Sequence, residues 1–170
     1  MAAYPRVPLR EVCQPVERLE SPTPGKVYRQ IGVRLWGQGA YEREAIDGGK
    51  TRYATLSRVE ADDIIVNKIW ARNGSVAVVS PELSGCYGSG EFPTFAPDRD
   101  KLLPGWFHWI TKTRDFWQQC DEKSQGTSGK TQGDGPSANS AAACLFLVGA
   151  VFFSQLILTN PNARFAPIRL

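Results

Sequence analysis

The sequence predicts an α+β domain over residues 28–130, built on a twisted, mostly antiparallel sheet with a few helices. Three observations carry this. Residues 28–36 (YRQIGVRLW) alternate apolar and polar side chains with a period of two, as a half-buried strand does. Residues 62–70 (DDIIVNKIW) are rich in β-branched side chains and lead through an Asn73-Gly74 turn into SVAVV (75–79), which reads as a hairpin. From Pro104, a favoured first helical residue, Trp106, Trp109/Ile110, Thr113, Phe116/Trp117 and Cys120 follow at helical spacing.

Taken in order, residues 1–27 form a proline-rich lead-in with one short helical turn around 9–13 and a loop at SPTPG (21–25). In the first strand Ile31, Val33 and Leu35 share one face, and Gln30, Arg34 and Trp36 share the other. Gly37 and Gly39 break it, an ERE run follows at 42–44, and IDGGK (46–50) is a turn. Residues 53–56 read as a short strand. GCYGSGEFPTF (85–95) reads as a glycine-broken strand, with a bulge or a close backbone approach. SQGTSGK (124–130) reads as a flexible polar loop, TQGDGPSANS (131–140) as a low-complexity linker, and 141–170 as an apolar C-terminal tail.

Composition bounds the function. A chain of 170 residues has the length of about one domain, and 42% hydrophobic with 22% charged residues excludes disorder of the whole chain. Twenty basic residues against 17 acidic ones give a net charge of +3, which permits a nucleic-acid partner without arguing for one. Between residues 26 and 130 the counts are 15 and 13, so a basic surface must come from placement. Cys13, Cys86, Cys120 and Cys144 are widely and irregularly spaced with no CxxC pair, against a zinc site and against a disulfide framework. MAAYPRVPLREV lacks the apolar stretch of a signal peptide, so a reducing, cytoplasmic setting is expected.

Catalytic readings are weak. His108 is the one histidine, and a Cys86–His108 pair is the one thiol–imidazole arrangement with any appeal, but packing explains a histidine between Phe107 and Trp109 as well. Asp62 and Asp63 could hold a metal, but adjacent acids before a strand more often mark a turn. No HExxH, GxSxG or Walker pattern occurs, and GQGAYE (37–42) lacks the full dinucleotide fingerprint.

Aromatic and basic residues are the better signal. Arg34, Trp36 and Gln38 lie together, and Asn67, Lys68, Trp70, Arg72 and Asn73 cluster at the next hairpin. Arg, Asn and Gln can make bidentate contacts with base edges, and Lys and Arg neutralise phosphates. The same residues also suit an ordinary α/β surface, so both readings stand on residue chemistry alone. The Trp/Phe stripe at 106–117 reads as core, because large aromatics at helical spacing pack inward. SQGTSGK could present backbone N–H groups and a cation to phosphate, or be a plain loop.

The run AAACLFLVGAVFFSQLIL (141–158) has three readings: a C-terminal membrane anchor, a buried element, or sequence foreign to this fold such as an out-of-frame extension. The last is preferred. A small membrane-anchored protein is therefore the alternative function, and a cysteine-dependent enzyme a third.

In order, YRQIGVRLWGQGAYERE, DDIIVNKIWARNGSVAVV, the GCYGSGEFPTF block and the FW…KSQGTSGK segment resemble a single target-recognition domain of the specificity (S) subunits of type I restriction–modification systems. The lead-in PRVPLREV resembles the start of such a domain, and the likeness covers roughly residues 4–130. It implies a non-catalytic subunit that binds double-stranded DNA and directs methylation and cleavage by methyltransferase (M) and restriction (R) subunits. S-adenosylmethionine, ATP and Mg would belong to those partners, with no metal or catalytic residue in this chain. Segments 34–39, 68–73, 89–92 and 126–130 match family motifs. Within and beside them Arg34, Trp36, Gln38, Lys68, Arg72, Asn73, Ser89, Thr127, Ser128 and Lys130 are the candidate DNA contacts, with Arg34, Lys68, Arg72 and Lys130 the cations. Gly37, Gly39 and Phe92 are read as fold-defining. After Lys130 the likeness stops and no heptad pattern follows. This reads as a truncated or frameshifted chain without the spacer helices and second recognition domain, which would weaken binding by the single module.

Overall fold

Strand-forming and turn-forming stretches alternate through residues 8–123, the part that the computed structural model describes. A 3-10 turn at Leu9–Glu11 is followed by strands β1 (Cys13–Val16), β2 (Leu19–Glu20), β3 (Val27–Val33), β4 (Ala40–Asp47), β5 (Leu56–Arg58), β6 (Ile64–Val66), β7 (Val76–Val78), β8 (Tyr87–Gly88) and β9 (Thr94–Pro97). Further 3-10 turns lie at Ala71–Asn73 and Pro81–Leu83, and two helices follow, α1 (Pro104–Ile110) and α2 (Arg114–Lys123).

The α+β class holds, but the strands form two sheets rather than one. A four-stranded sheet has the order β1-β9-β6-β7 and is antiparallel throughout. A five-stranded sheet has the order β2-β5-β8-β3-β4, antiparallel except for the short β3–β8 pairing at Gln30 and Tyr87. The reason for two sheets lies in β6. Ile64, Ile65 and Val66 are all fully buried, which is why this run shows no polar alternation. Ile64 and Val66 point into a cluster with Leu9, Val12, Phe95, Phe107 and Phe116; Ile65 points the other way, to Ile31, Val33, Val59, Ala77 and Cys86. The small sheet is thus sandwiched between the helices and the five-stranded sheet, and each layer buries apolar area at about 25 cal/mol per Å².

Residues 9–20, read as a lead-in, are woven into this body. They supply Leu9, Val12 and Cys13 to the first cluster and one strand to each sheet. Arg18 secures them by a forked ion pair to buried Asp63, with Nη1 at 2.6 Å and Nη2 at 3.3 Å from the carboxylate. The acid pair at 62–63 is therefore a turn with a structural carboxylate: Asp62 has φ +71°, and Asp63 also accepts the Glu60 N–H at 2.8 Å.

Several expected boundaries move. The first strand stops at Val33 instead of running to Trp36, leaving Leu35 and Trp36 exposed in the turn beyond. The polar ERE run is strand β4, paired with β3 along its length. Among the described residues it has no strand partner on its other side, and its exposed charges suit a sheet edge, which is why it shows no apolar pattern. The strand expected at 53–56 forms later, at Leu56–Arg58, and the strand expected over 62–70 ends at Val66. The hairpin to residues 76–78 forms as expected. The helix expected over 104–120 is broken at 111–113. There the Thr111 and Thr113 hydroxyls each donate to a carbonyl three residues back at 2.8 Å, and Thr113 Oγ1 accepts the Phe116 N–H at 3.3 Å as an N-cap for α2. The aromatic stripe accordingly splits. Phe107 and Phe116 are core, Trp106 and Trp117 are half-buried against it, and Trp109 is exposed with Lys112 over its ring.

Candidate functional site

Two loops that are far apart in sequence meet at one end of the small sheet. The β3–β4 turn closes through Arg34 N–H to the Gly39 carbonyl at 2.9 Å, and the turn after β6 ends on Gly74 at φ +69°. Trp36 N–H donates to the Asn73 carbonyl at 2.8 Å and Gly37 N–H to the Gly74 carbonyl at 2.9 Å. Beneath them the buried Ser75 hydroxyl donates to the Val33 carbonyl at 3.0 Å. These bonds lock the two loops as a unit.

Helix α2 packs against that unit. A Cβ on Gly74 would lie 2.5 Å from Trp117 Nε1, and one on Gly37 would lie 2.4 Å from the Thr111 carbonyl oxygen, so both contacts need glycine. Trp117 Nε1 donates to the Thr111 carbonyl at 2.7 Å, which fixes the indole, and Trp36 meets it edge to face at 5.4 Å between ring centroids. Trp36 holds φ +57°, a conformation unusual for a bulky residue, and the Asn73 bond and the indole contact hold it there.

The result is a cleft of about 430 Å³ lined by Trp36, Arg72, Asn73, Arg114, Trp117, Gln118 and Asp121. Its chemistry is two indole surfaces, two guanidinium groups, two amides and one carboxylate. Arg72 Nε lies 3.4 Å from Asp121 Oδ1, and both side chains are about half exposed. Arg114 is exposed and has no ion-pair partner among the described residues.

Of the candidate contacts, Trp36, Arg72 and Asn73 converge on this cleft. Arg34 lies outside its lining, with its guanidinium over the Tyr41 ring at 4.3 Å. Gln38 is exposed on the same turn. Lys68 donates its backbone N–H to the Glu91 carbonyl at 3.1 Å, so the second and third motif segments also adjoin. Ser89 is buried at 8% exposure, and its carbonyl accepts the Phe92 N–H at 2.9 Å in the turn that seats Phe92 against the second core cluster. Thr127, Ser128 and Lys130 lie outside the described residues, as do the linker and the 141–170 tail.

No motif singles out Arg114, Gln118 and Asp121 in the sequence, and the spacing of Trp117 reads as core. Their positions carried the signal: 114, 117/118 and 121 fall on one helix face, while Phe116 and Cys120 are buried on the other.

The other chemistry-bearing residues have packing roles. Cys86 is enclosed in the second core cluster, where burial pushes its thiol pKa up, while His108 meets the Trp109 ring edge to face. Cys13 and Cys120 are buried in the first cluster; burial pushes the Cys13 thiol up to about 12. Among the described residues no group of His, Cys, Asp and Glu could hold a metal ion, and no helix is long and apolar enough to cross a membrane.

No protein-family model matches the chain, and no curated protein is significantly similar to it. Among solved structures, it is similar in fold to the crystal structure of the HsdS subunit from Thermoanaerobacter tengcongensis, with a TM-score of 0.64 at 16% sequence identity. The match covers 89% of this chain but 38% of that one.

Proposed function

We propose that this chain is a DNA target-recognition module of a type I restriction–modification specificity subunit. The observation that carries the reading is the cleft. Two of the four sequence segments that resemble the family dock on each other there, and they present Trp36, Arg72 and Asn73 beside Arg114 and Gln118. The fold likeness to an HsdS subunit supports the same reading. Arg, Asn and Gln supply the donor patterns that read base edges, and cations off the cleft, Arg34 and Lys68 among them, would position the duplex by its phosphates.

In this reading the chain is non-catalytic and acts in the cytoplasm. Methylation and cleavage, with S-adenosylmethionine, ATP and Mg, belong to methyltransferase and restriction subunits that the module directs. One module reads one part of a target, so its own affinity is modest and steeply salt-dependent.

The test is fluorescence anisotropy of the full chain against a random duplex pool at low and moderate salt, with folding checked by a cooperative thermal transition. Binding that weakens log-linearly with salt is the expected result. A folded chain that binds no duplex at low salt sinks the proposal. Membrane fractionation addresses the alternative anchor reading of 141–158.

A further inference from the structure

Within the cleft, the pairing of Arg72 with Asp121 has a geometry that a phosphate-neutralising cation does not need. Asp121 engages Nε of Arg72 at 3.4 Å. No second carboxylate pairs with Arg72 among the described residues, and the side chain remains 45% exposed. A guanidinium whose nearest carboxylate contact is through Nε can turn its Nη1/Nη2 end outward as a fork of parallel donors. The anchoring carboxylate is itself 60% exposed. A negative charge this close to the cation opposes a phosphate, so the pair is poorly suited to backbone neutralisation. Both backbones are fixed: Arg72 lies in the Ala71–Asn73 turn that docks on Trp36, and Asp121 lies on α2 one turn beyond Trp117.

On that basis we infer that Arg72 and Asp121 together read one G·C base pair in the major groove, an inference that rests on the DNA-recognition reading above. Guanine presents two adjacent acceptors, O6 and N7, to an Arg fork, and its paired cytosine presents the N4 amino donor, which a carboxylate accepts. An A·T pair fails on the same geometry. The adenine N6 amino group would point its hydrogens at the donors of Arg72, and the thymine O4, an acceptor, would face the Asp121 carboxylate where a donor is needed. Arg114, exposed on the same helix face and without an ion-pair partner among the described residues, serves as the phosphate contact beside this reader.

The experiment is selection of full-chain protein on a randomised duplex library, followed by sequencing, for the unaltered chain, Arg72→Ala, Asp121→Ala and Arg114→Ala. Thermal midpoints show that each variant is folded; all three side chains are exposed. The unaltered chain should enrich a motif with one strongly preferred G·C position. Arg72→Ala and Asp121→Ala should both lose discrimination at that same position, by roughly 10- to 100-fold for Arg72→Ala, with the other positions kept. Arg114→Ala should weaken binding to all sequences alike and reduce the salt slope by about 1. If Arg72→Ala lowers affinity uniformly and leaves the motif intact, Arg72 is a phosphate contact and the inference is overturned. Loss at one position in Arg72→Ala with no change in Asp121→Ala overturns the pairing. Failure of the folded, unaltered chain to enrich any duplex overturns the DNA-recognition reading itself, a result distinct from either of these.

Discussion

The backbone N–H of Trp36 donates to the carbonyl of Asn73 at 2.8 Å, joining the β3–β4 turn to the turn after β6. Everything that lines the cleft depends on this junction, because α2 packs on the unit that the two turns form.

The junction makes its glycines sensitive. Gly37 and Gly74 combine positive φ values of +62° and +69° with contacts that leave no room for a Cβ. Gly37→Ala and Gly74→Ala should each cost about 2 kcal/mol or more, from left-handed strain plus displacement of Thr111 or Trp117. Gly25→Ala, at φ +82° with open space around it, should cost about 1 kcal/mol. Urea unfolding checks the ranking, and equal costs at all three positions would contradict it.

Helix α2 carries core and cleft on opposite faces. Phe116 is fully buried and meets Phe107 edge to face at 5.8 Å. Phe116→Ala should destabilise by about 3–5 kcal/mol, whereas Arg114→Ala should stay within about 0.5 kcal/mol. Thermal unfolding followed by circular dichroism distinguishes the two faces.

Asp63 holds the N-terminal strands to the sheet through Arg18, with its side chain only 4% exposed. Asp63→Ala leaves the Arg18 guanidinium with Glu60 alone and the Glu60 N–H without its acceptor, at a cost of about 2 kcal/mol. Asp63→Asn should cost less, because the amide oxygen still accepts the Glu60 N–H. A double cycle with Arg18→Ala measures the coupling, and additive losses would refute a direct interaction.

Stability should fall in acid partly through Glu20. Its carboxyl is held down at about 2, from an ordinary 4.5, by the Lys26 ammonium and by hydrogen bonds from Tyr28 and Tyr87, each at 2.9 Å. The unfolded chain binds this proton more readily, so the contribution is complete above about pH 4.5 and is lost as pH falls toward 2. Glu42, paired with Arg29, and Asp98, paired with Lys101, are lowered in the same sense. Glu20→Gln should therefore flatten the stability-versus-pH curve below pH 4.5 without abolishing its slope. Denaturant midpoints between pH 2 and 6 read this directly, and parallel curves for the two proteins would refute the role of Glu20.

How far the fold was legible from sequence follows from which signals are local. The β6–β7 hairpin, the start of α1 at Pro104 and the breaks at Gly37 and Gly39 were readable, because β-branching, proline geometry and glycine freedom act within a few residues. β4 was not readable, since an edge strand with exposed charges has no apolar period to detect. The split of the aromatic helix was missed because the Thr111 and Thr113 back-bonds compete with helix propagation only in this local context.

By itself, then, the sequence determined the α+β class, the exclusion of a disulfide- or zinc-stapled scaffold as the expected reading, and the grouping of Trp36, Arg72 and Asn73 as candidate contacts. Only the tertiary structure decided that the strands divide into two sheets, because β6 is apolar on both faces and needs a layer on each side. Only the tertiary structure brought Arg114, Trp117, Gln118 and Asp121 to those contacts. The docking that does so runs through the Trp36–Asn73 and Gly37–Gly74 backbone bonds, and a backbone bond between distant loops does not depend on side-chain identity, so the sequence shows the glycines but not which loops they join.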